Sequence, residues 1–165
     1  GEPKFVSGRT PQVKPRPYVH FSEASATNSA MVLGRDNPTR TSSEAPGHSA
    51  RFANDGNPAT FWQAEAGDAN PWFRVDLERI VNVTKTKLSF PSPGNWQYRI
   101  EISDDGETNW KVLVDQTHTD SSTAERLDIV PGSFVSGRFI RVSIATSPSG
   151  QSASLSEIEV SGTQP

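Results

Sequence analysis

Wherever this sequence has a clear rhythm, the rhythm is two. Phe73-Arg74-Val75-Asp76-Leu77 alternates apolar and polar residues, and Tyr98-Arg99-Ile100-Glu101-Ile102 does the same. Successive side chains of an extended chain point to opposite faces, so such stretches bury one face of a strand and wet the other. Nothing in the chain sustains the 3.6-residue period of an amphipathic helix. Further strands are predicted at Trp110-Lys111-Val112-Leu113-Val114, Leu127-Asp128-Ile129-Val130, Phe139-Ile140-Arg141-Val142-Ser143-Ile144 and from Leu155 to Val160. Asp104-Asp105-Gly106 and Pro131-Gly132 supply turns between them. The 12 Gly and 13 Pro residues suit many short strands better than helices. The predicted fold is all-β, an antiparallel jelly-roll β-sandwich of about eight main strands. One short helical turn is expected at 49–54.

At 165 residues the chain has room for one domain with a real core. Residues 1–19 carry Pro3, Pro11, Pro15 and Pro17 and read as a Pro-rich linker or the tail of an upstream domain. The module itself is expected over 20–165. Residues 24–50 are polar, rich in Ser and Thr, and broken by Gly34, Pro38, Pro46 and Gly47. They read as one long loop, either functional or a mobile insertion.

Composition narrows the function. A net charge of −3 supplies neither a basic surface for nucleic acid nor a polybasic patch for an anionic membrane. No apolar run is long enough to span a bilayer, and no apolar leader opens the chain, as expected of a module excised from a longer protein. The absence of cysteine removes thiolate metal sites, Cys nucleophiles and disulfides. It favours an exported bacterial origin over a secreted eukaryotic one, so the expected location is secreted or extracellular, with the periplasm as the alternative. His20, His48 and His118 show no metal-binding spacing, and no nucleophile elbow or phosphate-binding glycine pattern is present. No catalytic residues are assigned. Asn82-Val83-Thr84 has the form of a glycosylation acceptor but falls inside a predicted strand.

One short stretch does carry chemistry. Phe52-Ala53-Asn54-Asp55-Gly56-Asn57-Pro58-Ala59-Thr60-Phe61-Trp62 packs an Asp, a Gly-Asn pair and a Thr into six positions. Calcium takes six to eight oxygens from carboxylates, carbonyls and water. Asp55 supplies charge, Gly56 permits the tight turn, and Asn57 and Thr60 offer neutral oxygens. Read alone, the same residues make an Asx turn as readily as a metal loop.

This stretch resembles the A-x-D-G-N-x-x-T-x-W signature of discoidin-like domains, the coagulation-factor-V/VIII type C fold that includes family 32 carbohydrate-binding modules. Four more segments resemble that family in order. They are Pro71-Trp72-Phe73-Arg74-Val75-Asp76-Leu77, Tyr98 to Gly106 with Trp110, Gly137-Arg138-Phe139-Ile140-Arg141-Val142, and Leu155-Ser156-Glu157-Ile158-Glu159-Val160-Ser161-Gly162. Together they cover about residues 50–162. The resemblance implies one structural calcium held by carbonyls of Phe52, Asn57, Thr60 and Ser156 with the side chains of Asp55, Thr60 and Glu157. It also implies that Trp62, Phe73, Val75 and Trp110 are core residues.

In family 32 modules the sugar is bound by loops at one end of the sandwich. Four stretches are candidates here: 42–48, 63–70, 90–97 and 146–154. A sugar is held by an aromatic under its apolar face and by planar polar side chains. Trp96 is the expected platform, although it could instead be a strand-start residue tucked against the core. Glu44, Gln63, Glu65, Asn95 and Gln151 are the expected hydrogen-bonding partners. The Arg that the family places after the loop proline is absent, Ser92 standing there, and the last loop lacks the usual aromatic. The resemblance thus implies a non-catalytic, monomeric module that anchors a secreted glycoside hydrolase or lyase to a neutral or mildly basic glycan, galactose-containing glycans among the candidates. The alternatives are an adhesion or surface-binding discoidin module and a spacer domain without a ligand.

Overall fold

A computed structural model describes residues 31–165. The expected linker at 1–19 and the start of the module at 20 lie outside the described residues. In chain order the strands are β1 (Met31–Leu33), β2 (Thr39–Thr41), β3 (Trp62–Gln63), β4 (Trp72–Ser89), β5 (Gln97–Ser103), β6 (Lys111–Gln116), β7 (Glu125–Ile129), β8 (Val135–Thr146), β9 (Ser154–Leu155) and β10 (Glu157–Thr163). A 3-10 helix at Ala50–Ala53 fills the expected helical turn. All pairings are antiparallel. The fold is the predicted β-sandwich.

The long strand β4 ties the two layers together. At 18 residues it is about three times an ordinary strand. Its first half pairs with β2 (Arg40 opposite Arg74) and β8 (Val142 opposite Phe73). Its second half pairs with β10 (Ile158 opposite Leu88) and β7 (Arg126 opposite Leu88). Between the halves the register with β8 shifts from Asp76 to Val81, and Glu78 takes a left-handed φ of 68°. A bulged corner of this kind lets one strand serve two sheets. Beyond it, β5 and β6 extend the first layer from β8, and β1 extends the second from β10.

The alternation read from the sequence sets the core. Phe73, Val75, Ile100, Ile102, Ile140 and Val142 are wholly buried, and Trp62, Leu88, Trp96 and Leu155 join them. Each large side chain so enclosed stabilises the fold by about 1.5–3 kcal/mol relative to exposure. Ring packing orders the interior. Trp62 lies 6.1 Å from Phe73, and Phe90 stacks on Trp96 at 4.6 Å with planes 5° apart.

Three expectations need correction. Trp96 is fully buried, so it is a core residue and no sugar platform. Its indole N–H donates to the Ser92 carbonyl at 2.9 Å, which draws the ring in towards its own loop. Trp110 is not in the core. It is half-buried just ahead of β6, with the Arg141 guanidinium 4.0 Å from its ring centroid. Finally, 24–50 is not one loop, since its described part holds β1 and β2. Three-residue strands are too short to show a period, and partners distant in sequence, β10 and β4, define them.

Candidate functional site

The four candidate loops converge at one end of the sandwich. The two-residue ladder of β3 and β9 sets Gln63 opposite Ser154. Ala45 donates its N–H to the Gln63 carbonyl at 2.8 Å, and Ala64 donates to Ala153 at 2.9 Å. Loop 42–48 is thereby joined to 63–70, and 63–70 to 146–154. The 90–97 segment is joined by the Ser92 hydroxyl, which donates to Gln151 Oε1 at 2.9 Å. Buried Arg126 fastens the same segment from beneath, donating to the carbonyls of Trp96 and Gly94 at 3.0 and 3.1 Å.

Between 63–70 and 146–154 lies a cleft of about 270 Å³, walled by Glu65, Asp68, Ser147, Gln151 and Ser152. Two serine hydroxyls hold Asp68 in place. Ser42 Oγ and Ser43 Oγ each donate to its Oδ2 at 2.6 Å, and the Asn70 N–H donates to Oδ1 at 3.1 Å. The Ser42 and Ser43 hydrogen bonds hold its carboxyl below the usual carboxylate range, so it is ionised at neutral pH. Among the described residues no Lys, Arg or His lines this cleft. Its field is therefore negative, which suits hydroxyl donors or an ammonium group and repels carboxylates and sulfates.

The sequence-predicted sugar contacts divide. Glu65 and Gln151 line the cleft. Gln63, half-buried in β3, does not line it, nor does Asn95, which is exposed on 90–97. Glu44 is occupied elsewhere, its Oε2 accepting the Ala50 N–H at 2.7 Å at the start of the 3-10 helix. Asp68 was signalled in the sequence only by its charge. The two serines that orient it lie about 25 positions away and become legible only when the loops meet.

The oxygen-rich loop at Asp55 meets the start of β10. Thr60 Oγ1 donates to Asp55 Oδ2 at 2.7 Å and lies 3.0 Å from the Asn57 carbonyl oxygen. Glu157, at the start of β10, is almost wholly buried, and its Oε2 accepts the Gly56 N–H at 3.0 Å. Burial pushes the Glu157 carboxyl up to about 7, and the neighbouring Asp55 charge adds to the rise. Ser156 is buried beside it, and Phe52 is half-buried in the 3-10 helix. Asp55 and the buried Glu157, with a hydroxyl and a carbonyl alongside Asp55, form a donor set that suits a hard cation. Among the described residues no group of three or more His, Cys, Asp or Glu gathers anywhere, so any cation here would draw its remaining oxygens from neutral groups.

A profile of the F5/8 type C domain matches residues 38–158, and the chain belongs to that family. No curated protein sequence matches it. Among solved structures, chitosan-binding module 1 of a chitosanase/glucanase from Paenibacillus sp. IK-5 superposes with a TM-score of 0.70. It is 24% identical over 79% of this chain and 98% of that one. Module 2 of the same enzyme, solved with chitotriose, gives a TM-score of 0.66 at 29% identity over 78% of this chain and 98% of that one. The family 32 module of Clostridium perfringens NanJ, solved with galactose, gives 0.67 at 18% identity over 80% and 98%.

Proposed function

We propose that this domain is a non-catalytic carbohydrate-binding module that holds a secreted, carbohydrate-active enzyme on a neutral or mildly basic glycan. The observation that carries the reading is a cleft between two loops, lined by Glu65, Asp68 and Gln151, in which serines of the other two loops hold Asp68 and Gln151 in position. The family and the glycan-binding functions of its structural neighbours support it. The acidic lining favours the basic end of the range, sugars with a free amino group. A shallow site that makes about four hydrogen bonds, each giving about 1–1.4 kcal/mol net, yields roughly 4–5.5 kcal/mol. That corresponds to Kd of about 0.1–1 mM.

The same reading includes one structural calcium ion. Carbonyls of Phe52, Asn57, Thr60 and Ser156 and the side chains of Asp55, Thr60 and Glu157 would hold it. When bound, it supplies positive charge that offsets the two carboxylates and so ties β10 to the loop ahead of Trp62. The domain is expected to be monomeric within a multidomain, extracellular protein.

A glycan array followed by titration calorimetry tests the binding site. Asp68→Asn and Gln151→Ala should each weaken the best hit at least about fivefold with the fold intact. Unchanged affinity in both variants would show that the glycan sits elsewhere, and the absence of any hit at millimolar concentration would leave a spacer domain.

A further inference from the structure

The loop cleft does not stop at its rim. Ala69, Pro71, Ile144 and Ala145 line it and also line a second cleft of about 420 Å³ that opens onto the outer face of the first sheet. Trp72, Arg99, Glu101, Arg141 and Ser143 also line that second hollow. The strand period puts them there: Phe73, Ile100 and Val142 are buried in the core, so their neighbours in sequence face outward. Register then aligns Trp72 with Ser143, and Ser143 with Arg99, on three adjacent strands. Adjacent strands lie about 4.8 Å apart, a spacing close to the length of one sugar ring.

The chemistry of this face differs from that of the loops. Charges here are matched, Arg141 with Glu101 at 2.9 Å and Arg99 with Asp115 at 3.1 Å, so donors and acceptors stand side by side without a strong field. Arg99 Nε has no partner among the described residues. Trp72 is half-buried and lines a third hollow with Trp110 and Arg74, so it stands as a ridge between two depressions. Among the described residues the loop cleft contains no aromatic, and the only aromatic of the adjoining hollow is Trp72.

We infer that the two clefts form one groove for a glycan chain of three or more rings, whose end occupies the loop cleft and whose next rings cross the Pro71 rim to stack on Trp72 beside Arg99 and Ser143. This rests on the proposed function of the loop cleft and adds its mode: recognition of a run of rings rather than a single terminal sugar. The occupant is a glucosamine-type chain, because the loop cleft is acidic and the sheet face is charge-balanced.

The test is calorimetric titration of the whole chain with glucosamine and with its deacetylated β-1,4 oligomers from two to six rings. Affinity should rise at least about tenfold from one ring to four. Trp72→Ala should abolish that rise while leaving glucosamine itself within about twofold. Arg99→Ala, at a partly exposed position, should reduce the rise and decides the question if Trp72→Ala fails to fold. Affinity independent of chain length, or a full rise retained in Arg99→Ala and in folded Trp72→Ala, overturns the extended groove but not the loop site. If Asp68→Asn and Gln151→Ala leave every oligomer unaffected, the loop-site reading fails and this inference with it; if no oligomer binds, this inference alone is overturned.

Discussion

Gly56 donates its backbone N–H to Glu157 Oε2 across 3.0 Å, joining two residues 101 positions apart in the chain. The contact closes the domain, because it fixes the loop ahead of the buried Trp62 to β10, the last strand in the chain. It also leaves an acid, Glu157, in a place that resists its charge. Burial and the nearby Asp55 both favour the protonated form, and a cation between the two acids would reverse that preference.

Calcium should therefore stabilise the protein. A ligand that binds only the folded state contributes about 2.7 kcal/mol at a hundredfold excess over its Kd. For a domain of this size that is a rise of roughly 5–15 °C in Tm. Differential scanning calorimetry with calcium and then with chelator measures it, and Asp55→Ala should remove the calcium-dependent increment. An identical Tm in calcium and chelator would show that the loop is an Asx turn and nothing more.

Trp96→Ala should destabilise the domain by about 3–5 kcal/mol, the cost of emptying a large aromatic site in a packed core. Phe90 loses its stacked partner and the Ser92 carbonyl its donor. Urea unfolding followed by circular dichroism reads the loss. A stable variant that has lost glycan affinity would instead restore Trp96 as a sugar platform.

Gly94 decides how closely two of the loops approach. Its φ of 152° is unfavourable for other residues, and a Cβ added there would collide with the ring of Pro148. Gly94→Ala should cost about 1–3 kcal/mol and displace the 146–154 loop, weakening glycan binding through Gln151. Equal stability and equal affinity in the variant would show that the two loops move independently.

Acid should weaken the fold through Asp76. Arg138 donates to both of its oxygens, at 2.8 and 2.9 Å, and holds the carboxyl below its ordinary range. A carboxyl depressed in the fold adds stability that is complete above its unfolded value of about 3.9 and is lost as pH falls through the lower folded value. Arg138 is partly exposed, so the contribution is about 1 kcal/mol or less. Arg138→Gln should lower the urea midpoint at pH 6 but much less at pH 2.5. A constant difference between wild type and variant at the two pH values would assign the effect to packing rather than charge.

How much of this was written in the sequence depends on the length scale of the interaction. Alternation in Phe73–Leu77 and Tyr98–Ile102 determines strand, face and core together, because the two-residue period is local and one face must be buried. The oxygen-rich loop at Asp55 was legible for the same reason, its turn being made by residues within five positions of one another. Trp96 was not legible. An indole preceding a strand after a proline-rich loop reads equally well as platform or core, and only the position of Phe90 chose between them. Nor were β1 and β2, whose strand character comes from partners more than 30 residues away. The cleft belongs wholly to the tertiary structure: Glu65, Asp68 and Gln151 share it because β3 pairs with β9 and two serines reach across to Asp68. Loop composition sets which groups are on offer, whereas the packing beneath the loops sets which of them meet.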